Sequence, residues 1–133
     1  MKHTLFYEYS LKTPAEGFIE ITQSVREAVA KSGVTGGIAI IYCPHTTAGI
    51  TINENADQDV MTDILLGLSK AFPDRPEFRH TEGNSAAHLK ASITGSSVTV
   101  IVEKGRLVLG MWQGVFLMEY DGPRTRNFFV KVI

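Results

Sequence analysis

The stretch PHTTAGITINENADQDVMTD, residues 44–63, combines a predicted turn, a strand and the start of a helix. It follows the most apolar run of the chain, GIAIIYC at 37–43, which predicts a buried strand. Pro44 lacks the N–H that a central strand needs, so the chain must turn where His45 emerges. In AGITIN, residues 48–53, apolar and polar residues alternate, which predicts a second strand. An imidazole is therefore expected at the end of a rigid, buried element.

The segments on either side of this stretch predict the fold class. A helix should begin near Ala56, because apolar residues follow at helical spacing until Pro73 ends it. Those apolar residues are Val60, Met61, Ile64, Leu65 and Leu68. Alternating runs and turn residues elsewhere give the order ββαββααββββ. This order predicts a single α+β domain over residues 1–133, with a largely antiparallel or mixed β-sheet and helices on one face.

Composition excludes several classes of protein. Apolar residues make up 44% of the chain and charged residues 20%, as in ordinary globular proteins. The net charge of −1 argues against a nucleic-acid partner, which would need broad positive charge. Cys43 is the only cysteine, so no internal disulfide is expected. No run approaches the roughly 20 apolar residues of a membrane span, and we expect a cytoplasmic protein without a membrane partner.

Three histidines are candidate metal ligands, namely His45, His80 and His88. Each lies beside small or turn-forming residues, but their spacing matches no local zinc motif. If the three imidazoles meet, they can bind a zinc-like ion and leave one position open for water or substrate. The alternative for each is an ordinary hydrogen-bonded or exposed histidine. His3, at the chain start, is expected only at the surface.

Carboxylates cluster at the predicted junction between strand and helix. Glu54 and Asp57 are the candidates for catalysis, since a carboxylate beside His45 could orient a ligating imidazole or act as a general base. Asp59 and Asp63 could instead only complement the helix dipole. The neutral Asn55 and Asn84 are candidate substrate-binding groups, and the alternative for each is a turn residue or a helix cap.

The segment DGPRTR, residues 121–126, carries the candidate phosphate ligands. Arg124 and Arg126 are two residues apart, so on a strand they would project from one face, where two guanidinium groups suit a phosphate or a carboxylate. Asp121 itself is read as part of a hairpin turn. Trp112 and Gln113 offer an aromatic wall beside an amide, and Trp112 could equally belong to the core.

Three segments together resemble the YjbQ-like family, which is often labelled secondary thiamine-phosphate synthase. They are HTTAGITINENAD at 45–57, H-x3-N-x3-H at 80–88, and the long run from Ala91 to Arg126. The most specific parts are SITGSS at 92–97 and G-x-L-x-L-G-x-W-Q at 105–113. Met111 stands where members commonly have threonine. The resemblance covers nearly the whole chain.

The resemblance implies a YjbQ-like α+β fold, a homotrimer and a metal-binding pocket near subunit boundaries. It implies pocket ligands His45, His80 and His88, with Glu54, Asp57, Asn84 and Arg124 nearby. The implied activity joins a pyrimidine diphosphate to a thiazole phosphate, giving thiamine phosphate and pyrophosphate, as a secondary reaction.

The working hypothesis is a metal-dependent enzyme that acts on a small phosphorylated substrate. A three-histidine site favours a zinc-like divalent ion, whereas a diphosphate substrate favours Mg²⁺. Two alternatives stay open at this point. One is a non-catalytic trimeric protein that binds a metal or ligand, and the other is a metal-activated hydrolase.

Overall fold

The computed structural model describes residues 5–133, so the surface position expected for His3 lies outside the described residues. Within this range the chain forms eight strands and three helices. The strands are β1 (Phe6–Lys12), β2 (Gly17–Glu20), β3 (Gly36–Tyr42), β4 (Ala48–Glu54), β5 (Ser97–Glu103), β6 (Arg106–Leu107), β7 (Gln113–Glu119) and β8 (Thr125–Val132). The helices are α1 (Thr22–Ser32), α2 (Gln58–Ala71) and α3 (Ser85–Thr94).

The strands divide into two sheets in which every pairing is antiparallel. The larger sheet has the order β1-β8-β3-β5-β6, and the smaller has the order β2-β7-β4. In the smaller sheet Ala48 lies opposite Glu119, and Glu54 lies opposite Gln113. The two ends of β4 therefore face opposite ends of β7.

The main core lies between the two sheets and is closed by α1. From α1 it contains Val25, Ala28 and Val29, which fall on one face of the helix. From the sheets it contains alternate strand residues, such as Ile41 of β3 and Leu117 of β7, which are fully buried. The period of two along each strand thus gives each sheet one face for this core.

A second core lies between the smaller sheet and the two remaining helices. Phe116 and Met118 of β7 point away from the main core and contact Ala87 and Ala91 of α3. Met61 and other partly buried residues of α2 pack against the same cluster. Because β7 is covered on both faces, its sequence is almost continuously apolar.

The predicted α+β class, the antiparallel strands and the element order are confirmed. The strands form two stacked sheets, since Pro44 ends β3 in one sheet and β4 then pairs in the other. The turn at His45 is where the chain crosses between the sheets. No helix among residues 5–133 is both long enough and apolar enough to cross a membrane.

Candidate functional site

The three candidate histidines meet at one open cavity of about 360 Å³. The residues that line it come from four separate parts of the chain, which are the β3–β4 turn, the loop before α3, α3 itself and the turn into β8. They are Pro44, His45, Thr46, Thr47, His80, Glu82, Asn84, His88, Asp121, Arg124 and Arg126. We call this cavity the histidine pocket. The fold thus brings together residues that are up to 82 positions apart, as in the contact between His45 and Asn127.

Close packing of α3 on β4 places His88 beside the β3–β4 turn. At Gly49 of β4, a Cβ atom would lie 2.5 Å from the carbonyl oxygen of Gly95, so only glycine allows this approach. The same carbonyl accepts a hydrogen bond from the N–H of Ile50 at 3.0 Å. The end of α3 is thereby fixed to the strand that follows His45.

His80 and His88 form a pair of exposed or partly exposed imidazoles. Their ring centroids are 5.5 Å apart, and the ring planes are nearly perpendicular at 78°. The Nε2 atom of His80 also lies 3.9 Å from a carboxylate oxygen of Glu82. At that distance the contact is a weak electrostatic one and not a hydrogen bond.

His45 is already engaged through one of its ring nitrogens. Its Nε2 accepts a hydrogen bond from the backbone N–H of Asn127 at 2.9 Å. Burial, and next the guanidinium of Arg126, lower the pKa of His45. The ring is therefore neutral near pH 7, and because Nε2 accepts, Nδ1 carries the hydrogen.

An amide, a carboxylate and a guanidinium form a connected chain along one wall of the pocket. The Nδ2 group of Asn84 donates to Asp121 Oδ2 at 2.9 Å, and Arg124 donates to the same oxygen at 2.9 Å. The hydrogen bond from Asn84, and then that from Arg124, lower the pKa of Asp121 against the opposing effect of burial. The Oδ1 atom of Asn84 is buried and has no hydrogen-bond partner within the described chain.

Arg126 is committed to a buried ion pair, although the sequence predicted it as a phosphate ligand. Its Nε and Nη2 groups donate to the two carboxylate oxygens of Glu119 at 2.8 and 2.5 Å. The same Nη2 group donates to Thr47 Oγ1 at 2.8 Å. Only 5% of the Arg126 side chain is exposed. It contributes to the pocket as a support behind the histidine turn, and Arg124 is the guanidinium that faces solvent.

The predicted catalytic carboxylates do not lie beside His45 within one chain. Glu54 ends β4 while His45 precedes it, so the seven-residue strand separates them by about 20 Å. Asp57 caps α2, where its carboxylate accepts the backbone N–H two residues on at 2.9 Å. Asn55 and Gln113 lie at the same far end, joined by a hydrogen bond of 3.2 Å from Asn55 Nδ2 to the Gln113 carbonyl. Proximity in sequence was misleading because an extended strand intervenes.

The histidine pocket contains the types of ligand atom that a zinc-like ion prefers. His80 and His88 offer free imidazole nitrogens, Glu82 offers a carboxylate, and the unpartnered Oδ1 of Asn84 offers a further oxygen. Across residues 5–133, however, no three His, Cys, Asp or Glu side chains are grouped closely enough to hold an ion. Binding would draw these side chains together, and His45 would have to release Asn127 to join them.

The two acidic residues that hold the arginines of the site were not among the sequence candidates. Asp121 was read only as a turn residue, and Glu119 was not considered at all. A signal for Glu119 was present, because a single acidic residue in the apolar run VFLMEY of a doubly covered strand needs a buried cation as partner. Arg126 provides that cation.

Comparison with known proteins identifies the family. The profile of the family described as UPF0047 protein YjbQ-like matches residues 7–133. The chain belongs to this family. It is 52% identical to the UPF0047 protein YugU of Bacillus subtilis, over 91% of this chain and 92% of the relative. It is 50% identical to a UPF0047 protein of Methanocaldococcus jannaschii, over 97% and 94% of the two chains.

Solved structures share the fold along nearly the whole chain. A Clostridium acetobutylicum member superposes with a TM-score of 0.93 at 58% identity, covering 96% of this chain and 99% of that one. A Thermus thermophilus protein superposes with a TM-score of 0.89 at 46% identity, with the same coverage. None of these names states a reaction, so the residues of the histidine pocket are the basis for a functional assignment.

Proposed function

We propose that this YjbQ-like protein is a cytoplasmic, metal-dependent enzyme that acts on a small phosphorylated substrate in the histidine pocket. The observation that carries the proposal is the meeting of His45, His80 and His88, from three separate segments, at one cavity beside Arg124. A purely structural role would not explain why two of these imidazoles and Arg124 remain accessible to solvent. Convergence of polar groups on a cleft is typical of a catalytic or binding site.

His80 and His88 would hold the ion, with His45 as a third ligand once its ring leaves Asn127. A bound zinc-like ion would supply a Lewis acid and a water of lowered pKa, and Mg²⁺ is the alternative if a diphosphate is the substrate. While Nε2 of His45 still accepts from Asn127, the neutral ring offers its Nδ1–H as a hydrogen-bond donor to a substrate oxygen.

Arg124 is the group proposed to bind phosphate. Its Nε and Nη2 groups donate to Asp121, which fixes the orientation of the guanidinium. The Nη1 group and the second N–H of Nη2 stay available, and half of the side chain is exposed. A guanidinium held in this way can bind a phosphate with paired N–H groups. Asn84 would accept a substrate hydrogen bond through its unpartnered Oδ1.

The proposed reaction is the one that the family label implies, as a secondary activity. A carbon–nitrogen bond forms between the thiazole phosphate and the pyrimidine, and the carbon–oxygen bond to pyrophosphate breaks. Both substrates and both products carry phosphate, which matches the exposed guanidinium of Arg124. The physiological substrate would then be another small molecule with the same kind of anionic group.

The proposal includes the homotrimer that the family resemblance implies, and we infer that its ring joins the two ends of β4 from neighbouring subunits. Such a ring needs two unlike surfaces on every subunit. One candidate surface is the outer face of the larger sheet, where Phe6 and Tyr42 are 46% and 44% exposed and the rings of both lie beside that of Phe129. The other is the loop before β7, where Met111 and Trp112 are 83% and 61% exposed. Exposed apolar patches of this kind are typical of interfaces.

The loop surface also carries the carboxylates that the histidine pocket lacks within one chain. Trp112 accepts the backbone N–H of Asn55 at 2.9 Å, so it lies directly beside Glu54 and the cap of α2. Joining this acidic end to a pocket of imidazoles and Arg124 would pair unlike charges. We therefore place Glu54 or Asp57 of the partner subunit as the general base in the pocket, with Asn55 and Gln113 of the partner subunit at its rim.

The first test is metal content together with turnover, on protein that has no histidine tag. Wild type should carry about one transition-metal ion per chain, and His45→Ala, His80→Ala and His88→Ala should each lose it. Glu54→Gln is the matched control, since it should keep the metal and lose formation of thiamine phosphate. Metal that persists in the histidine variants would overturn the proposal.

Mixed trimers test the shared pocket. Neither His88→Ala nor Glu54→Gln should be active alone, whereas co-expressed chains should regain about a quarter of wild-type turnover, because each mixed ring contains one intact site. No regain of activity in mixed rings would place the whole site within one chain.

A non-catalytic binding protein is the second candidate. It is favoured by the separation of Glu54 and Asp57 from the histidines within one chain, since the pocket then lacks the predicted base. This candidate predicts tight binding of thiamine phosphate that Glu54→Gln leaves unchanged, and no turnover. The third candidate is a metal-activated hydrolase. Hydrolysis of phosphate esters or amides by the metal-loaded protein would distinguish it from the other two.

A further inference from the structure

A second cavity, of about 430 Å³, lies between α1 and the turn that joins β5 to β6. It is lined by Arg26 and Val29 of α1 and by Gly105, Arg106 and Leu107 of the turn and β6. It shares no lining residue with the histidine pocket. Its volume falls within the range of small-molecule sites.

The two arginines of this cavity have no partner within the described chain. Arg126 and Arg124 both form ion pairs, but the side chain of neither Arg26 nor Arg106 makes an ion pair or a hydrogen bond among residues 5–133. The carboxylate nearest in register to Arg106 is Glu103 across the hairpin. Its Oε1 accepts the backbone N–H that follows it at 3.3 Å, and it does not line the cavity.

The fold holds both arginines over an apolar floor. The N–H of Gly105 donates to the carbonyl of Thr35 at 2.9 Å, and its φ of 74° sets the turn that directs Arg106 toward α1. On the helix, Arg26 is three residues before the buried Val29, so the two lie on neighbouring positions of one face. The floor is Val29, which is 2% exposed, together with the partly buried Leu107.

We propose that this cavity binds a small anion, with its phosphate or carboxylate between Arg26 and Arg106 and an apolar or aromatic body on Val29 and Leu107. The lining contains two guanidinium groups and no carboxylate, so it favours a negatively charged ligand. Arginine presents its N–H groups as a planar fork, which matches the oxygens of a phosphate or carboxylate. The site is separate from the histidine pocket and does not depend on the function proposed for that pocket.

The test is a titration followed by two-dimensional amide NMR, with phenyl phosphate, inorganic phosphate and benzoate as probes. Phenyl phosphate should shift the amides of Val29, Gly105 and Leu107. Arg26→Gln and Arg106→Gln should each weaken its binding at these amides about tenfold, because each removes a charge-assisted hydrogen-bond donor. Arg75→Gln removes the same charge from a distant loop and should leave the binding unchanged.

The probes distinguish the chemistry of the ligand. Stronger binding of phenyl phosphate than of inorganic phosphate would support the apolar floor, and binding of benzoate would widen the class to carboxylates. The proposal is overturned if no probe shifts these amides at millimolar concentration, or if the double arginine variant binds as wild type does. His88→Ala should bind phenyl phosphate here normally, so failure of the histidine pocket and failure of this site give different results.

Discussion

Two arginine–carboxylate pairs lie side by side in this protein and differ almost only in burial. Arg126 and Glu119 have 5% and 0% of their side chains exposed. Arg124 and Asp121 have 50% and 27% exposed. The two arginines are two residues apart in sequence, and their motif alone would assign them one role. The comparison shows that the same pair of residue types holds the fold at one position and remains free for a ligand at the next.

The buried pair is stable in the interior because its polar groups are satisfied. Besides the two bonds from Arg126, the carboxylate of Glu119 accepts from Thr13 Oγ1 at 2.5 Å and from the backbone N–H of Asp121 at 3.1 Å. The guanidinium also donates to Thr47. This network therefore joins β7, β8 and the histidine turn. Losing one charged partner from such a network leaves the other uncompensated in a medium of low polarity.

Glu119→Gln should have the largest effect on stability. It keeps the shape of the side chain but leaves the Arg126 charge buried without a counter-charge, at a cost of about 3–5 kcal/mol in free energy of unfolding. Asp121→Asn is the matched control in the exposed pair and should cost no more than about 1 kcal/mol. Urea unfolding of the two variants measures both values. Equal losses would show that burial does not distinguish the pairs.

Acid should remove the same stabilisation in the wild-type protein. Burial alone would raise the pKa of Glu119, but hydrogen bonds from Arg126 and Thr13 outweigh it, and the net direction is down. A carboxyl whose folded pKa lies below its unfolded value stabilises the fold above the unfolded pKa, near about 4.3, and loses that contribution as the pH falls through the folded pKa. Stability should thus fall steeply below about pH 4 in wild type and less so in Glu119→Gln. Parallel pH curves would contradict this assignment.

The sequence predicted the elements well, since each depends on local patterns. The stop at Pro44, the alternation through β4 and the apolar stripe of α2 all act within a few residues, and the structure has each element at that place. The division of the strands into two sheets was not predictable in this way. It depends on which strands pair at each sheet edge. A hydrophobic pattern predicts which face of a strand is buried but not which strand lies beside it.

For the site, the sequence predicted residue types better than their grouping. The three histidines, Asn84 and Arg124 do meet, but Glu54 and Asp57 lie at the far end of a strand. A strand extends the chain by about 3.3 Å per residue. The nine positions between His45 and Glu54 therefore place these side chains further apart than the same spacing in a helix would. The different roles of the two arginines were equally hidden, because burial arises from strands that are distant in sequence.

Arg124→Gln should have the opposite profile to the buried pair. It should cost less than about 1 kcal/mol in stability, since its pair is exposed. It should also weaken binding of pyrophosphate at the histidine pocket about tenfold, because a charge-assisted donor is lost. Calorimetric titration and urea unfolding measure the two effects on one preparation. Unchanged pyrophosphate affinity would exclude Arg124 as the phosphate ligand, and a large loss of stability would place it with Arg126.

The smallest expected effect concerns His45, which lines the pocket and feels the charges of the buried pair. Burial, and then the charge of Arg126, lower its pKa, so the folded protein binds a proton there less readily than the unfolded chain does. Stability should therefore decrease as the pH falls below about 6.5, and this loss should be smaller than the one assigned to Glu119. His45→Gln should lack this step while it retains the steeper acid loss that we assign to Glu119. If both steps persist in that variant, the proton that destabilises the fold near neutral pH binds to a group other than His45.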